Sequence, residues 1–246
     1  MQDDSQSSQP RSAAVDDSFV YIDVGGRRRG RTFEREEEAA NNLRYRVLKR
    51  GLDIGLVLLS GPLFLLVLAV VAAMILMSSP GPIFYSHRRI RQNGAFFSMW
   101  KFRTMCVNSA EVLEVYLAAR PEARSEWNRT HKLKDDPRVT PLGRFLRRYS
   151  VDELPQVWNV LRGQMALVGP RPIVAAEVEK YGDDFYHYCR VKPGLTGLWQ
   201  VSGRSELTYP QRVALDCDYV TRWSLRQDLW ILLRTFLAVT NQDGAY

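Results

Sequence analysis

The chain has 246 residues, 46% of them hydrophobic and 25% charged, which excludes a wholly disordered chain, a collagen and a polytopic transporter. A formal net charge of +7 and an isoelectric point near 9.4 point to acidic partners, among them nucleic acid, anionic lipid and phosphorylated small molecules. Cys106, Cys189 and Cys217 are too few, and odd in number, for a disulfide framework. His87, His131 and His187 are too scattered to join them in a zinc site.

Residues 1–43 form a polar tail. A basic run (Arg27, Arg28, Arg29, Arg31) precedes an acidic one (Glu34, Glu36, Glu37, Glu38), and little apolar surface is present to offset the entropy of ordering. Residues 19–24 are the one short stretch in it that reads as a strand. The sharpest shift follows. From Ile54 to Met77 no residue carries a formal charge, and a straight helix over this stretch would run about 36 Å, enough to cross a bilayer. A buried core helix is the alternative. Ser60-Gly61-Pro62 interrupts the segment: Pro62 offers no N–H to the carbonyl of Leu58, and the Ser60 hydroxyl can bond back one turn and bend the helix. Basic residues flank both ends, Arg44, Arg46, Lys49 and Arg50 before it and Arg88, Arg89 and Arg91 after it. Positive flanks mark the cytoplasmic side, so a re-entrant hairpin broken at 60–62 satisfies both, whereas a straight span strands one. Residues 44–82 are therefore expected as a re-entrant membrane helix and 83–246 as the catalytic domain.

Beyond Pro80-Gly81-Pro82, residues 83–90 and 95–104 read as two strands turning around Asn93-Gly94. Residues 108–128 read as a helix interrupted near Pro121. Residues 153–162 form an apolar-periodic helix carrying Leu154, Val157, Trp158 and Leu161. The C-terminal third is helical, with a wide apolar stripe of Trp223, Leu225, Leu229, Trp230, Leu233, Phe236 and Leu237. The fold class expected is α+β, predominantly helical, with a β-hairpin and amphipathic helices at the membrane surface.

Four features can carry chemistry. Ser150-Val-Asp-Glu153 has two readings. It is a capping box in which Glu153 folds back on Ser150, or it is a carboxylate pair in which Asp152 attacks phosphorus and Glu153 binds a divalent metal. Around it stand cations suited to phosphate: Lys101 and Arg103 on one strand face, Arg138, Arg144, Arg147, Arg148, Arg171 in a Gly-Pro-Arg-Pro frame, and Lys192 before Pro-Gly. The run Lys192–Arg204 carries three glycines, two hydroxyls, Trp199 and Arg204, a composition able to cradle a nucleotide or sugar, yet it matches neither GxxxxGK[ST] nor GxGxxG. Asp216-Cys-Asp218 has the form of a DxD metal site of a glycosyltransferase.

Taken together, Lys49-Arg50-x-x-Asp53, Trp100-Lys-Phe-Arg-Thr-Met105, Asp136-Pro-Arg138, Asp152-Glu-Leu-Pro-Gln156, Val168-Gly-Pro-Arg-Pro172, the Lys192–Arg204 run and the ending Asp243-Gly-Ala-Tyr246 resemble the bacterial sugar transferases. These are monotopic phosphoglycosyl transferases, and the resemblance covers about residues 44–246. It is closest to members that start exopolysaccharide or O-antigen synthesis with galactose or glucose 1-phosphate. It implies that Asp152 attacks the β-phosphate of a UDP-sugar, that UMP leaves, and that undecaprenyl phosphate collects the phospho-sugar from Asp152. It implies Mg²⁺ held by Glu153, phosphate or nucleotide contacts from Lys101, Arg103, Arg138, Arg171, Lys192 and Arg204, and a further acidic residue at Asp216. It also implies a place at the cytoplasmic face of the bacterial inner membrane, with membrane lipid as a partner and without nucleic acid. A homodimer stays open. Family members usually place Ser directly before the Pro of the membrane break, whereas Gly61 intervenes here. Two other classes compete: a glycosyltransferase that uses Asp216 and Asp218 and releases UDP, and a non-catalytic membrane scaffold.

Overall fold

The computed structural model describes residues 14–15, 20–21 and 43–240. Most of the expected tail and the Asp243–Tyr246 ending lie outside the described residues. Within the tail, β1 (Ala14–Val15) and β2 (Val20–Tyr21) pair antiparallel, β2 falling inside the stretch expected as a strand. The fold is mostly helical with small sheets.

Helix α1 (Leu43–Ser78) is long and apolar enough to cross a membrane. It runs as one helical element through Pro62, so Ser60-Gly61-Pro62 does not divide it into two helices. Proline's fixed φ is compatible with a helix, and only one ladder bond goes missing. The Ser60 hydroxyl donates back to the carbonyls of Leu56 (2.9 Å) and Val57 (3.2 Å), the backward bond expected of it. Both halves of α1 rest on the same domain. Val57 packs with Phe97, Met99, Val157, Val160 and Met165, while Val71 and Ile75, beyond Pro62, pack with Phe102 and Leu146. The opposite face, including Leu58, Leu59, Leu63, Leu66 and Met77, is exposed.

Strands β3 (Phe84–Ile90) and β4 (Phe96–Phe102) form the expected hairpin, in register from Phe84↔Phe102 to Ile90↔Phe96. Asn93 (φ 64°) and Gly94 (φ 73°) both take the left-handed conformation that this turn demands. The free edge of β4 is closed by a side chain. Fully buried Asn159 accepts from the Trp100 N–H (3.1 Å) and donates to the Ser98 carbonyl (2.8 Å), as a neighbouring strand would.

Pro121 opens α3 (Pro121–Thr130) directly after α2 (Ser109–Ala119), which is the interruption expected near that residue. Then come α4 (Pro141–Arg148), a 3₁₀ turn (Val151–Gln156) and α5 (Val157–Leu161). The helix expected over 153–162 thus begins as 3₁₀, with Pro155 inside it. Strand β5 (Ala166–Val168) pairs parallel with β6 (Gly194–Thr196). A Cβ on Gly194 would lie 2.1 Å from the Gly169 amide nitrogen, so the Gly-Pro-Arg-Pro and Lys-Pro-Gly loops meet backbone to backbone, which only glycine permits.

Between and after these strands lie α6 (Val178–Tyr181), α7 (Phe185–Arg190), α8 (Leu198–Ser202), α9 (Tyr209–Thr221) and α10 (Leu225–Thr240). The apolar stripe of α10 is present and its outer part faces outward: Leu229, Trp230, Leu233, Phe236 and Leu237 are exposed. The inner side of α10 holds α1. Asp228, 0% exposed, accepts from Lys49 Nζ (2.8 Å) and from the Tyr219 hydroxyl (2.7 Å). A buried carboxylate so paired is strongly destabilising to break.

Candidate active site

The 3₁₀ turn presents Asp152 and Glu153 to β4. Ser150 before it is left-handed (φ 56°) and its side chain makes no cap, so the capping box is absent. A non-glycine residue in that region is held there by its surroundings. Glu153 turns instead to Lys101, whose ammonium lies 2.7 Å from Glu153 Oε1 and 3.5 Å from Asp152 Oδ2. One cation thus serves two neighbouring carboxylates. Asp152 is 7% exposed. Burial pushes its pKa up, Lys101 opposes that, Glu153 adds to it, and Arg147 opposes it in turn. The outcome is a carboxylate more basic than an exposed one, desolvated beside a positive charge, which is the setting of a nucleophile.

A second group of side chains adjoins the first. Arg89, on β3, is largely buried, and its pKa is lowered by burial first and by Arg171, with Glu177 and Glu153 acting in the opposite direction. Arg89 therefore stands electrostatically between the Glu153 carboxylate and Arg171. It pairs with Glu177 at 3.6 Å. The guanidinium groups of exposed Arg171 and of Arg212 lie 5.6 and 4.8 Å from the centre of the Trp199 ring. Asp216, 2% exposed, accepts a 2.7 Å hydrogen bond from Tyr181 through Oδ2, while Oδ1 has no hydrogen-bond partner among the described residues. Burial raises its pKa to about 7 against the pull of the Tyr181 hydrogen bond and Arg171. Asp216 is therefore poised between its acid and its base near neutrality.

Other cations expected at the site are placed elsewhere. Arg103 donates to the carbonyls of Pro80 (2.8 Å) and Ser79 (2.7 Å) and fastens the end of β4 to the chain leaving α1. Arg138 forms a two-pronged pair with Asp136 (2.8 and 2.6 Å) and covers Trp127. Burial works against the Asp136 charge, but the Arg138 hydrogen bonds prevail and hold its pKa below the usual value. Arg204 donates through Nε to the Gln200 carbonyl at the end of α8. Lys192 lies in a different pocket: the charges that bear on it are Arg50, Asp53, Arg91 and Lys49, none of which is among those bearing on Asp152. Asp218 sits half-exposed and pairs with Arg222 at 2.9 Å. Two residues apart on α9, it is turned about 200° from buried Asp216, so the two carboxylates do not converge as a DxD site would require. Arg147, one of the cations expected around the pair, does bear on Asp152, whereas Arg89 is a site residue that the sequence analysis did not assign. Arg89 was absorbed into a basic flank, and its alternation with Ile90 on a strand was the available signal.

Among the described residues no group of three or more His, Cys, Asp or Glu stands ready to hold a metal. Asp152 and Glu153 still suit Mg²⁺, which binds through one or two carboxylates and completes its shell with substrate phosphates and water.

Comparison with known proteins decides the family. The bacterial sugar transferase family model matches residues 44–242. The chain belongs to the bacterial sugar transferases. It is 49% identical over 201 residues to a UDP-galactose-lipid carrier transferase of Erwinia amylovora, covering 82% of this chain and 42% of that one. It is 48% identical over 204 residues to the exopolysaccharide production protein ExoY of Sinorhizobium fredii, covering 81% and 88%. It is 41% identical over 184 residues to a UDP-glucose:undecaprenyl-phosphate glucose-1-phosphate transferase of Xanthomonas campestris pv. campestris, covering 72% and 35%. The chain thus spans about two fifths of the Erwinia relative and most of the Sinorhizobium one.

Proposed function

We propose that this bacterial sugar transferase moves a hexose 1-phosphate, galactose or glucose, from a UDP-sugar to undecaprenyl phosphate and so starts exopolysaccharide or O-antigen assembly. The observation that carries the proposal is the Asp152–Glu153 pair on one 3₁₀ turn, desolvated and facing a single Lys101 ammonium. The names of the Erwinia and Xanthomonas relatives support the donor and the acceptor.

In the first half-reaction an Asp152 oxygen attacks the β-phosphorus of the donor. The bond to the α,β-bridging oxygen breaks and UMP departs with its electron pair. Asp152 now carries the phospho-sugar as an acyl phosphate. In the second, an oxygen of undecaprenyl phosphate attacks the same phosphorus and the Asp152 carboxylate leaves, restoring the enzyme. Arg89 and Arg171 supply positive charge beside the transferring group. Lys101 lowers the cost of ionising buried Asp152 and must release Glu153 when donor binds. Glu153 would hold Mg²⁺, which would supply charge neutralisation at the donor phosphates. The near-neutral Asp216 offers a proton or a hydrogen-bond acceptor beside Arg171.

The re-entrant arrangement is part of the same proposal, although α1 runs as one helical element through Pro62. Its two halves both lie against the catalytic domain while its other face is apolar and exposed, which supports a helix that enters and leaves one leaflet on the cytoplasmic face of the inner membrane. The outward stripe of α10 suits the same surface.

The test is incubation with UDP-galactose or UDP-glucose and undecaprenyl phosphate, scoring nucleotide. UMP release, lost in Asp152→Asn, is expected; UDP release would refute the reading. Intact-mass measurement with donor and Mg²⁺ but no lipid should show the phospho-sugar adduct on wild type alone. Cysteine labelling before α1 and at residue 84 should report one side of the membrane; opposite sides would mean a span.

A further inference from the structure

Thr104 stands just past the end of β4 and is 7% exposed. Its backbone holds the start of α4. The Thr104 carbonyl accepts from the Thr140 N–H at 3.0 Å, and Met105 bridges Val139 in antiparallel fashion. Gly143, in the first turn of α4, packs so tightly here that a Cβ on it would collide with the Thr104 carbonyl. The Thr104 side chain holds the other end of the helix. Its hydroxyl accepts from Arg147 Nε at 2.9 Å, and it is the one side-chain hydrogen-bond partner of that guanidinium among the described residues. One buried residue thus fastens both ends of α4, whose last turn carries Arg147.

From Arg147 the chain turns directly into the carboxylate pair. The Arg147 carbonyl accepts the Ser150 N–H at 3.2 Å, and the Ser150 carbonyl accepts the Glu153 N–H at 3.2 Å. The Arg147 charge opposes the rise in the Asp152 pKa that burial and Glu153 produce. Yet among the described residues Asp152 has an ion pair with Lys101 alone, at 3.5 Å. The contrast with Asp136 is instructive. Arg138 grips that carboxylate at 2.8 and 2.6 Å, and both of its oxygens are occupied. A nucleophile held in that way would have no oxygen left to attack with. An untethered arginine would instead regain the rotamer freedom of a long side chain, and half-buried Arg147 has solvent within reach. We propose that Thr104 is a positioning residue whose hydroxyl keeps the Arg147 guanidinium close to Asp152 but short of an ion pair with it. The end of β4 then supplies the nucleophile with two cations, Lys101 directly and Arg147 through Thr104. The inference rests on Asp152 being the nucleophile.

The experiment uses the full chain in non-ionic detergent. Thr104→Val keeps the shape of the side chain and removes the acceptor; Thr104→Ser keeps the acceptor. UMP release is followed as kcat/KM against pH. In Thr104→Val the acidic limb should move upward, so that activity there falls about threefold, less than the tenfold or more that an arginine in direct contact would give. The deficit should shrink as pH rises and Asp152 ionises without help. Thr104→Ser should restore the wild-type limb, and in an Arg147→Met background Thr104→Val should move it no further. A second readout needs no turnover. The stability gap between wild type and Asp152→Asn, followed against pH by chemical denaturation without donor, reports the same carboxyl, and its pH-dependent window should extend higher in Thr104→Val. If wild type released no UMP, the proposed function would fail while this window still decided the role of Thr104. Where Thr104→Val does not fold, Thr104→Ala carries the test. A loss equal at every pH with an unmoved window would reduce Thr104 to a structural contact. A downward shift of the limb, a limb in Thr104→Ser that matches Thr104→Val, or a further shift on top of Arg147→Met would equally overturn the proposal.

Discussion

Asp216→Asn should make the protein's stability less dependent on pH, in a direction and size that the structure sets. The Asp216 carboxyl is almost wholly buried, keeps one oxygen without a hydrogen bond among the described residues, and has its pKa raised from 3.8 to about 7. A carboxyl whose folded pKa lies above its unfolded value binds more protons when folded, so stability falls as pH rises between the two values. Each unit of pH in that window costs about 1.4 kcal/mol, so wild type should lose about 3 kcal/mol from this group between about pH 5 and about pH 8. The Asn side chain has nearly the same shape, keeps an oxygen for Tyr181 and cannot ionise. The stability difference between variant and wild type should therefore grow in favour of the variant by about 3 kcal/mol across that window. Denaturant midpoints in mixed micelles, taken at both ends of the window, measure it. A difference that stays constant with pH would show that Asp216 does not change charge there, and would remove its assigned acid–base readiness. Activity should fall in the same variant, since the carboxylate beside Arg171 is gone.

Three further outcomes follow from the site and the fold. Lys101→Met leaves two adjacent carboxylates without their shared cation; the pKa of Asp152 should rise further and the acidic limb of the kcat/KM–pH profile should move upward, with a loss of about a hundredfold at neutral pH. An unmoved profile would show that Lys101 does not govern Asp152. Asn159→Ala removes a buried amide that serves the Trp100 N–H, the Ser98 carbonyl and Gln164; about 3 kcal/mol of stability should go, read from chemical denaturation. EDTA should abolish UMP release and Mg²⁺ restore it, while full turnover in metal-free buffer would strip Glu153 of its metal role.

What could be read from the residues alone was what depends on near neighbours. Asn93-Gly94 names its turn because both residues must take positive φ, and Pro121 names a helix start because it needs no donor. Ser60's backward bond spans one helical turn and was equally legible. The capping box failed because a partner 52 residues away, Lys101, claims Glu153. Arg103, Arg138 and Lys192 are all suited to phosphate by type; what separates them is which carbonyl, carboxylate or cavity the fold sets beside each, and that is a tertiary fact. The stripe on α10 was visible as a pattern, but periodicity alone does not say whether such a face turns to a core or to a membrane.

The contact between Lys49 and Asp228 joins residues 179 positions apart. Because a chain emerges from the ribosome N-terminus first, α1 is complete and committed to its surroundings long before its buried counter-ion exists. Lys49 and its neighbour Asp53 must wait, solvated, until α10 is made. Closure of the later helices onto α1 is thus a late event, and any truncation that stops short of α10 leaves Lys49 with Asp53 alone at 3.8 Å in place of its 2.8 Å buried partner.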